Sequence, residues 1–263
     1  MLSSSNYFKV ITEFFREKIL ISERKLTVDT IIFDVDDTLY DQLIPFEKAL
    51  RKSLKNSVSD HIINQLYVSS RKHSDALFEK TQAGTISLID MQTYRISAAC
   101  QECGIEISNQ DAVDFQDRYL EEQYKITLFK NTEKLLDFLY NQNKQLAILT
   151  NGNESHQSMK IKQLGLTKWI PEEHHFISEA IGYAKPNKEI FLHVEKQLRL
   201  EKSKTVYIGD SFDNDVIGAK QVGWHSIWMN HRERKVPNLN TKPDVVIVNP
   251  KKIFDVFQKI YTF

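Results

Sequence analysis

The chain has 263 residues, enough for one large domain or for a core domain carrying a smaller insert. Lysine plus arginine equals aspartate plus glutamate, 35 against 35, so the basic excess that marks a nucleic-acid binder is missing. A hydrophobic share of 41% with 11% aromatics suits a globular core, and no apolar stretch approaches the ~18 residues that span a bilayer.

In chain order, residues 1–27 place Phe8, Ile11, Phe15 and Ile19 at three- and four-residue steps and predict an N-terminal helical extension. They lack the basic start, apolar run and cleavage site of a signal peptide, which points to the cytoplasm. Thr30–Phe33 follow as a buried strand that ends in Asp34-Val35-Asp36-Asp37. Residues 45–127 are polar, rich in lysine and glutamine and helical in period, and are read as an insert with a turn at Gln82-Ala83-Gly84-Thr85. Within it Lys80, Gln82, Tyr94 and Arg95 flank the expected tip, where a polar or anionic substrate would meet them. Cys100 and Cys103 have C-x-x-C spacing but no further metal-ligand partners, and are read as inert thiols.

Strand and helix then alternate. Apolar runs at Leu146–Leu149, Thr205–Ile208, Ser226–Trp228 and Val245–Val248 read as strands, and Thr132–Gln142, Ser155–Leu164, Lys188–Leu198 and Asn214–Val222 as helices. This order predicts an α/β fold: a doubly wound, mostly parallel sheet with a helical domain inserted after the first strand. Arg232-Glu233-Arg234-Lys235 reads as a solvated loop, and His174, His175, His225 and His231 show no ligand spacing.

Ligands of such sheets bind outside the carboxyl ends of the strands, and the reactive side chains fall there. The first strand delivers Asp34, Asp36 and Thr38, the second Thr150 and Asn151, and a later one Asp210, with Asp213 and Asp215 just beyond; Lys185 precedes a helix. Clustered carboxylates repel unless a cation offsets them, and oxygen-only ligands favour Mg2+. A carboxylate beside Mg2+ suits attack on phosphorus, with Lys185 and Thr150 holding the non-bridging oxygens. Phosphomonoester hydrolysis asks for accelerations approaching ~10²¹, roughly 28 kcal/mol. One oxyanion donor supplies only about 3–4 kcal/mol, so a whole constellation is required.

The string Asp34-Val35-Asp36-Asp37-Thr38 resembles the D-x-D-x-T first motif of the haloacid dehalogenase-like superfamily. Thr150-Asn151 resembles its second motif, Lys185-Pro186 its third, and Gly209-Asp210-Ser211 with Asp215 its fourth, in the same order. The resemblance implies a Rossmann-like core over residues 28–44 and 128–263, with residues 45–127 as a helical cap. It implies that Asp34 is the nucleophile and a metal ligand. Asp36 would be the acid–base and bind the metal through its carbonyl, and Asp210 would be a further ligand. Thr150, Asn151 and Lys185 would contact the phosphoryl group, Asp215 would act beside Lys185 or a metal-bound water, and Thr38 would brace the loop. Asp37 is read as a turn or helix-capping carboxylate, and Asp213 as solvated. The implied function is Mg2+-dependent hydrolysis of a small phosphorylated metabolite by a monomer or homodimer, with no nucleic-acid or membrane partner. A 2-haloacid dehalogenase, a phosphosugar mutase and a non-catalytic binding protein are the competing readings. Dehalogenases resemble this chain less, because they usually lack an equivalent of Asp36.

Overall fold

The computed structural model describes residues 26–54, 58–236 and 240–262. The expected N-terminal helix falls on residues 1–25, outside the described range. Its last two positions are instead a strand, β1 (Leu26–Thr27), paired in parallel with β8 (Tyr261–Thr262).

Among the described residues the main sheet has six strands, all parallel: β2 (Thr30–Phe33), β3 (Gln145–Thr150), β4 (His175–Ile177), β5 (Thr205–Gly209), β6 (His225–Met229) and β7 (Val245–Ile247). Their spatial order is β4-β3-β2-β5-β6-β7. The chain thus winds from β2 to one edge, returns across it, and winds to the other. β2 and β5 are buried at every position, as continuous apolar runs in a covered sheet should be. Strand β4 escapes sequence reading because three residues beginning with a histidine form too short a run to show a period.

Register decides what the site receives. Phe33 lies level with Ile148 on one side and Ile208 on the other, so β3 runs on to Thr150 and β5 to Gly209 beside the turn that follows β2. The Asp34 amide continues the ladder to Ile208 O at 2.9 Å, which fixes the nucleophile candidate in the sheet rather than in a loose loop. One sheet face buries Ile32, Ala147, Leu149 and Tyr207 against Phe191, Val194 and Leu198 of the helix Lys188–Leu198. Each isoleucine, leucine, valine or phenylalanine side chain so withdrawn from water contributes roughly 1.5–3 kcal/mol.

Two compact units divide the chain. One comprises residues up to Leu39, Leu128–Asn151 and Thr167 onward; the other comprises Tyr40–Thr127 and Gly152–Leu166. The second is helical: α1 (Leu43–Ser53), α2 (Asp60–Gln82), α3 (Leu88–Glu102) and α4 (Asn109–Gln123). Ser59, Ser87 and Ser108 each accept a backbone amide and start the last three, with Asp111 completing a capping box at Ser108. Phe46 anchors the interior, edge-on to Tyr67, Phe115 and Tyr119 at 5.2–5.8 Å. The helix Glu154–Gln163, expected with the sheet, groups with these helices: His156 bonds Gln123 at 2.9 Å and Gln163 donates to Ile126 O at 3.2 Å. Among the described residues no helix is long and apolar enough to cross a membrane.

Candidate active site

Beyond β2 the chain turns at once. The Leu39 amide bonds back to Val35 O at 3.0 Å, and Asp37 takes a left-handed φ of 57°. The turn brings Thr38 back so that its hydroxyl donates to Asp34 Oδ2 at 3.2 Å. Asp36 is half-buried on the same turn, and its charge adds to the field on Asp34.

Lys185 reaches Asp34 from a loop 151 positions away in sequence. Its Nζ donates to Asp34 Oδ1 at 2.8 Å, to Asp215 Oδ1 at 2.7 Å and to the Tyr207 hydroxyl at 2.7 Å. An ammonium has three N–H bonds, and all three are engaged here. The Tyr207 hydroxyl donates onward to Leu149 O at 2.7 Å, so its oxygen can only accept from the lysine. Two facing carboxylates hold the Lys185 ammonium well above its ordinary pKa, outweighing burial, which acts first and in the opposite sense.

Asn151 clasps the loop that carries the lysine. Its amide group accepts from the Lys185 backbone N–H and donates to the Lys185 carbonyl, both at 2.9 Å. One amide N–H and the amide oxygen thus clasp the Lys185 main chain and position the lysine beside Asp34. Thr150, one residue earlier, ends β3 as a buried hydroxyl.

Asp210 follows β5, and Asp215 sits in a π-helical turn, Phe212–Ile217. Asp215 Oδ2 accepts the Ser211 amide at 2.9 Å and packs so close over Gly209 that a Cβ there would overlap its carboxylate. Glycine is needed at 209 for this approach. One ligand atom each from Asp34, Asp210 and Asp215 lie within 4.8 Å of one another. Asp213 is exposed, as read from the sequence.

The largest departure from the sequence reading is the segment after β6. It is not a solvated loop: Arg232 grips the buried Asp37 carboxylate with two bonds of 2.8 and 3.0 Å, and Arg234 meets Asp210 Oδ2 at 2.7 Å. His231, given no role, bonds Asp37 O at 2.8 Å. Asp37 is therefore a turn carboxylate, as read from the sequence, but a buried one that anchors this segment. Arg95, expected at a substrate-facing tip, is buried among helices, where it donates to Gln116 Oε1 at 3.0 Å. The Cys100 thiol is pushed up to about 11 by burial, in keeping with an inert pair.

The charges do not balance. Asp34, Asp36, Asp37, Asp210 and Asp215 face three cationic side chains, Lys185, Arg232 and Arg234. Burial, with Asp37, Asp34 and Asp215 nearby, pushes the Asp210 carboxyl well above the ordinary range despite Arg234. A divalent cation with hard oxygen ligands fits this deficit in both charge and donor chemistry.

A parallel sheet that gathers aspartates, a lysine and a threonine at one carboxyl edge defines an α/β enzyme scaffold of the aspartate-centred kind. The chain belongs to the haloacid dehalogenase-like hydrolases, whose family signature matches residues 28–223. It is 27% identical over 238 residues to the HAD-hydrolase YfnB of Bacillus subtilis, covering 88% of this chain and 93% of that one. It is 24% identical over 246 residues to the glyceraldehyde 3-phosphate phosphatase of Methanopyrus kandleri, covering 89% and 98%. The pyrimidine 5'-nucleotidase YjjG of Escherichia coli is 25% identical over 211 residues, covering 80% and 89%. In fold the chain matches the magnesium-bound crystal structure of YfnB, with TM-score 0.66, 24% identity and coverage of 88% and 99%. It also matches the L-2-haloacid dehalogenase of Xanthobacter autotrophicus, with TM-score 0.66, 15% identity and coverage of 88% and 99%.

Proposed function

We propose that the protein is a magnesium-dependent phosphatase of small phosphorylated metabolites that works through an aspartyl-phosphate at Asp34. The observation that carries this reading is the turn that places Asp36 two residues after an Asp34 already paired to Lys185 at 2.8 Å. A halide leaves without a proton, whereas an alkoxide needs an acid, and Asp36 is where that acid would stand.

The Asp34 carboxylate oxygen attacks phosphorus as the ester P–O bond breaks and Asp36 passes its proton to the departing alkoxide. Asp36, now a carboxylate, takes a proton from water, whose oxygen attacks the same phosphorus. Inorganic phosphate leaves, and Asp34 is regenerated. Lys185 and the Thr150 hydroxyl hold the non-bridging oxygens, while Asn151, Tyr207 and Asp215 hold Lys185. Mg2+, held by Asp34, Asp210 and the Asp36 carbonyl, would offset charge on the phosphoryl oxygens.

The helices from 45 to 127 act in this reading as a cap that excludes water and recognises the leaving group. The relatives named for glyceraldehyde 3-phosphate and pyrimidine nucleotides support a small phosphorylated substrate. The test is inorganic phosphate release from a panel of phosphomonoesters with Mg2+ or chelator, beside halide release from 2-haloacids. Phosphate release that needs Mg2+ is expected, falling by ~10³-fold or more in Asp34→Asn. Halide release without phosphate, or normal turnover by that variant, would defeat the reading.

A further inference from the structure

The segment that follows β6 is closed by its own first residue. The Asn230 amide donates to Arg234 O at 2.9 Å, accepts the Arg234 N–H at 2.8 Å, and its carbonyl accepts from Glu233 at 3.0 Å. Asn230 is buried and Glu233 is left-handed, at φ 52°, so residues 230–234 form a tight loop rather than a mobile run. The loop points two guanidinium groups at two strand ends. Arg232 is matched to Asp37 through a planar, two-bond grip. Arg234 stands 3.6 Å from Asp37 but 2.7 Å from Asp210 Oδ2, and also donates to Asp210 O at 3.2 Å. Asp37 already has its partner, so Arg234 is the cation given to Asp210.

Asp210 is also a ligand in the proposed metal site, and a guanidinium stays charged throughout the physiological range. We propose that Arg234 is a tethered counter-ion that competes with the divalent cation for Asp210, so that the 230–234 loop sets how tightly the ion is held. This rests on the metal site proposed above. Before an ion arrives, Arg234 offsets part of the Asp210 charge. Once the ion is present, the same positive charge opposes it. Asn230 fixes the Arg234 main chain, so the guanidinium starts from a set position beside Asp210.

The experiment is direct Mn2+ binding to the full chain by calorimetry, without substrate, in wild type and Arg234→Gln. Removing one unit charge from beside a ligand carboxylate should tighten the ion by about tenfold. The metal-free variant should melt lower than wild type and gain more in Tm on adding Mn2+. Weaker or unchanged binding by Arg234→Gln would overturn the proposal, assigning Arg234 to positioning or to no role. Should that variant fail to fold, Asn230→Ala, which unties the loop while keeping the charge, replaces it. Tighter binding there supports competition, and unchanged or weaker binding defeats it. Wild type that binds no Mn2+ would sink the metal site itself, a failure separate from that of the arginine.

Discussion

Lys185 has three N–H bonds, and Asp34, Asp215 and Tyr207 take all three. A phosphoryl oxygen that approaches the lysine must therefore displace one of them, and Asp34, which changes bonding during the proposed reaction, is the natural one to yield. Tyr207 is the neutral member of the trio; burial pushes its phenol well above the ordinary value, so it stays protonated. Tyr207→Phe should leave a lysine N–H and the Leu149 carbonyl unmet, costing about 1–3 kcal/mol in urea unfolding. The same variant should lower kcat more than it raises KM, because the lysine remains but is no longer fixed. Equal stability and kinetics to wild type would remove Tyr207 from the site. Sequence reasoning passed over this residue because a tyrosine in a covered strand looks like core filling. The signal was that a buried phenol needs a partner and stood three residues before Asp210.

At the level of elements, the strand ends were readable and the loop after β6 was not. Asp34, Thr150 and Asp210 each close an unbroken apolar run, so their placement followed from the strands alone. Arg232 and Arg234 sit among other charges, and nothing in a mixed-sign run distinguishes solvated residues from ones aimed inward at carboxylates 24 or 195 positions away. The next segment is pinned differently. Asp244 accepts the Ser226 amide and Lys220, each at 2.8 Å, and faces His225 at 3.6 Å. Burial alone would raise its carboxyl, but these partners outweigh burial and hold it at about 2. A depressed carboxyl gives stability that is whole above the ordinary value of 3.8 and fades as pH falls toward 2. Asp244→Asn should thus cost about 2 kcal/mol at neutral pH. Its unfolding free energy should approach that of wild type as the pH drops through this window. The neighbouring carboxylate raises His225, whose opposite share is whole at low pH and lost as pH rises. A gap between the two proteins that stayed constant from pH 5 to 2 would show that the pairing carries no such energy.

Across the whole molecule, 35 acidic and 35 basic residues cancel, with a sequence pI of about 7.1. The negative excess of the site is therefore offset elsewhere on the surface, and the protein has little net charge to keep copies apart near neutrality. Solubility measured across pH 5–9 at low salt should pass through a minimum near pH 7; a flat profile would contradict this. The doubly wound fold was open to sequence reading because its strands and helices alternate. The pairing of β1 with β8 was not, because two-residue strands carry no period. That small sheet has a practical consequence. Thr27 is laced to Thr262 and lies seven residues before Asp34, so removing residues 261–263 takes away the partner of the lead-in to β2 and should lower the melting temperature. An unchanged melting temperature in that truncation would show that the small sheet does not brace β2.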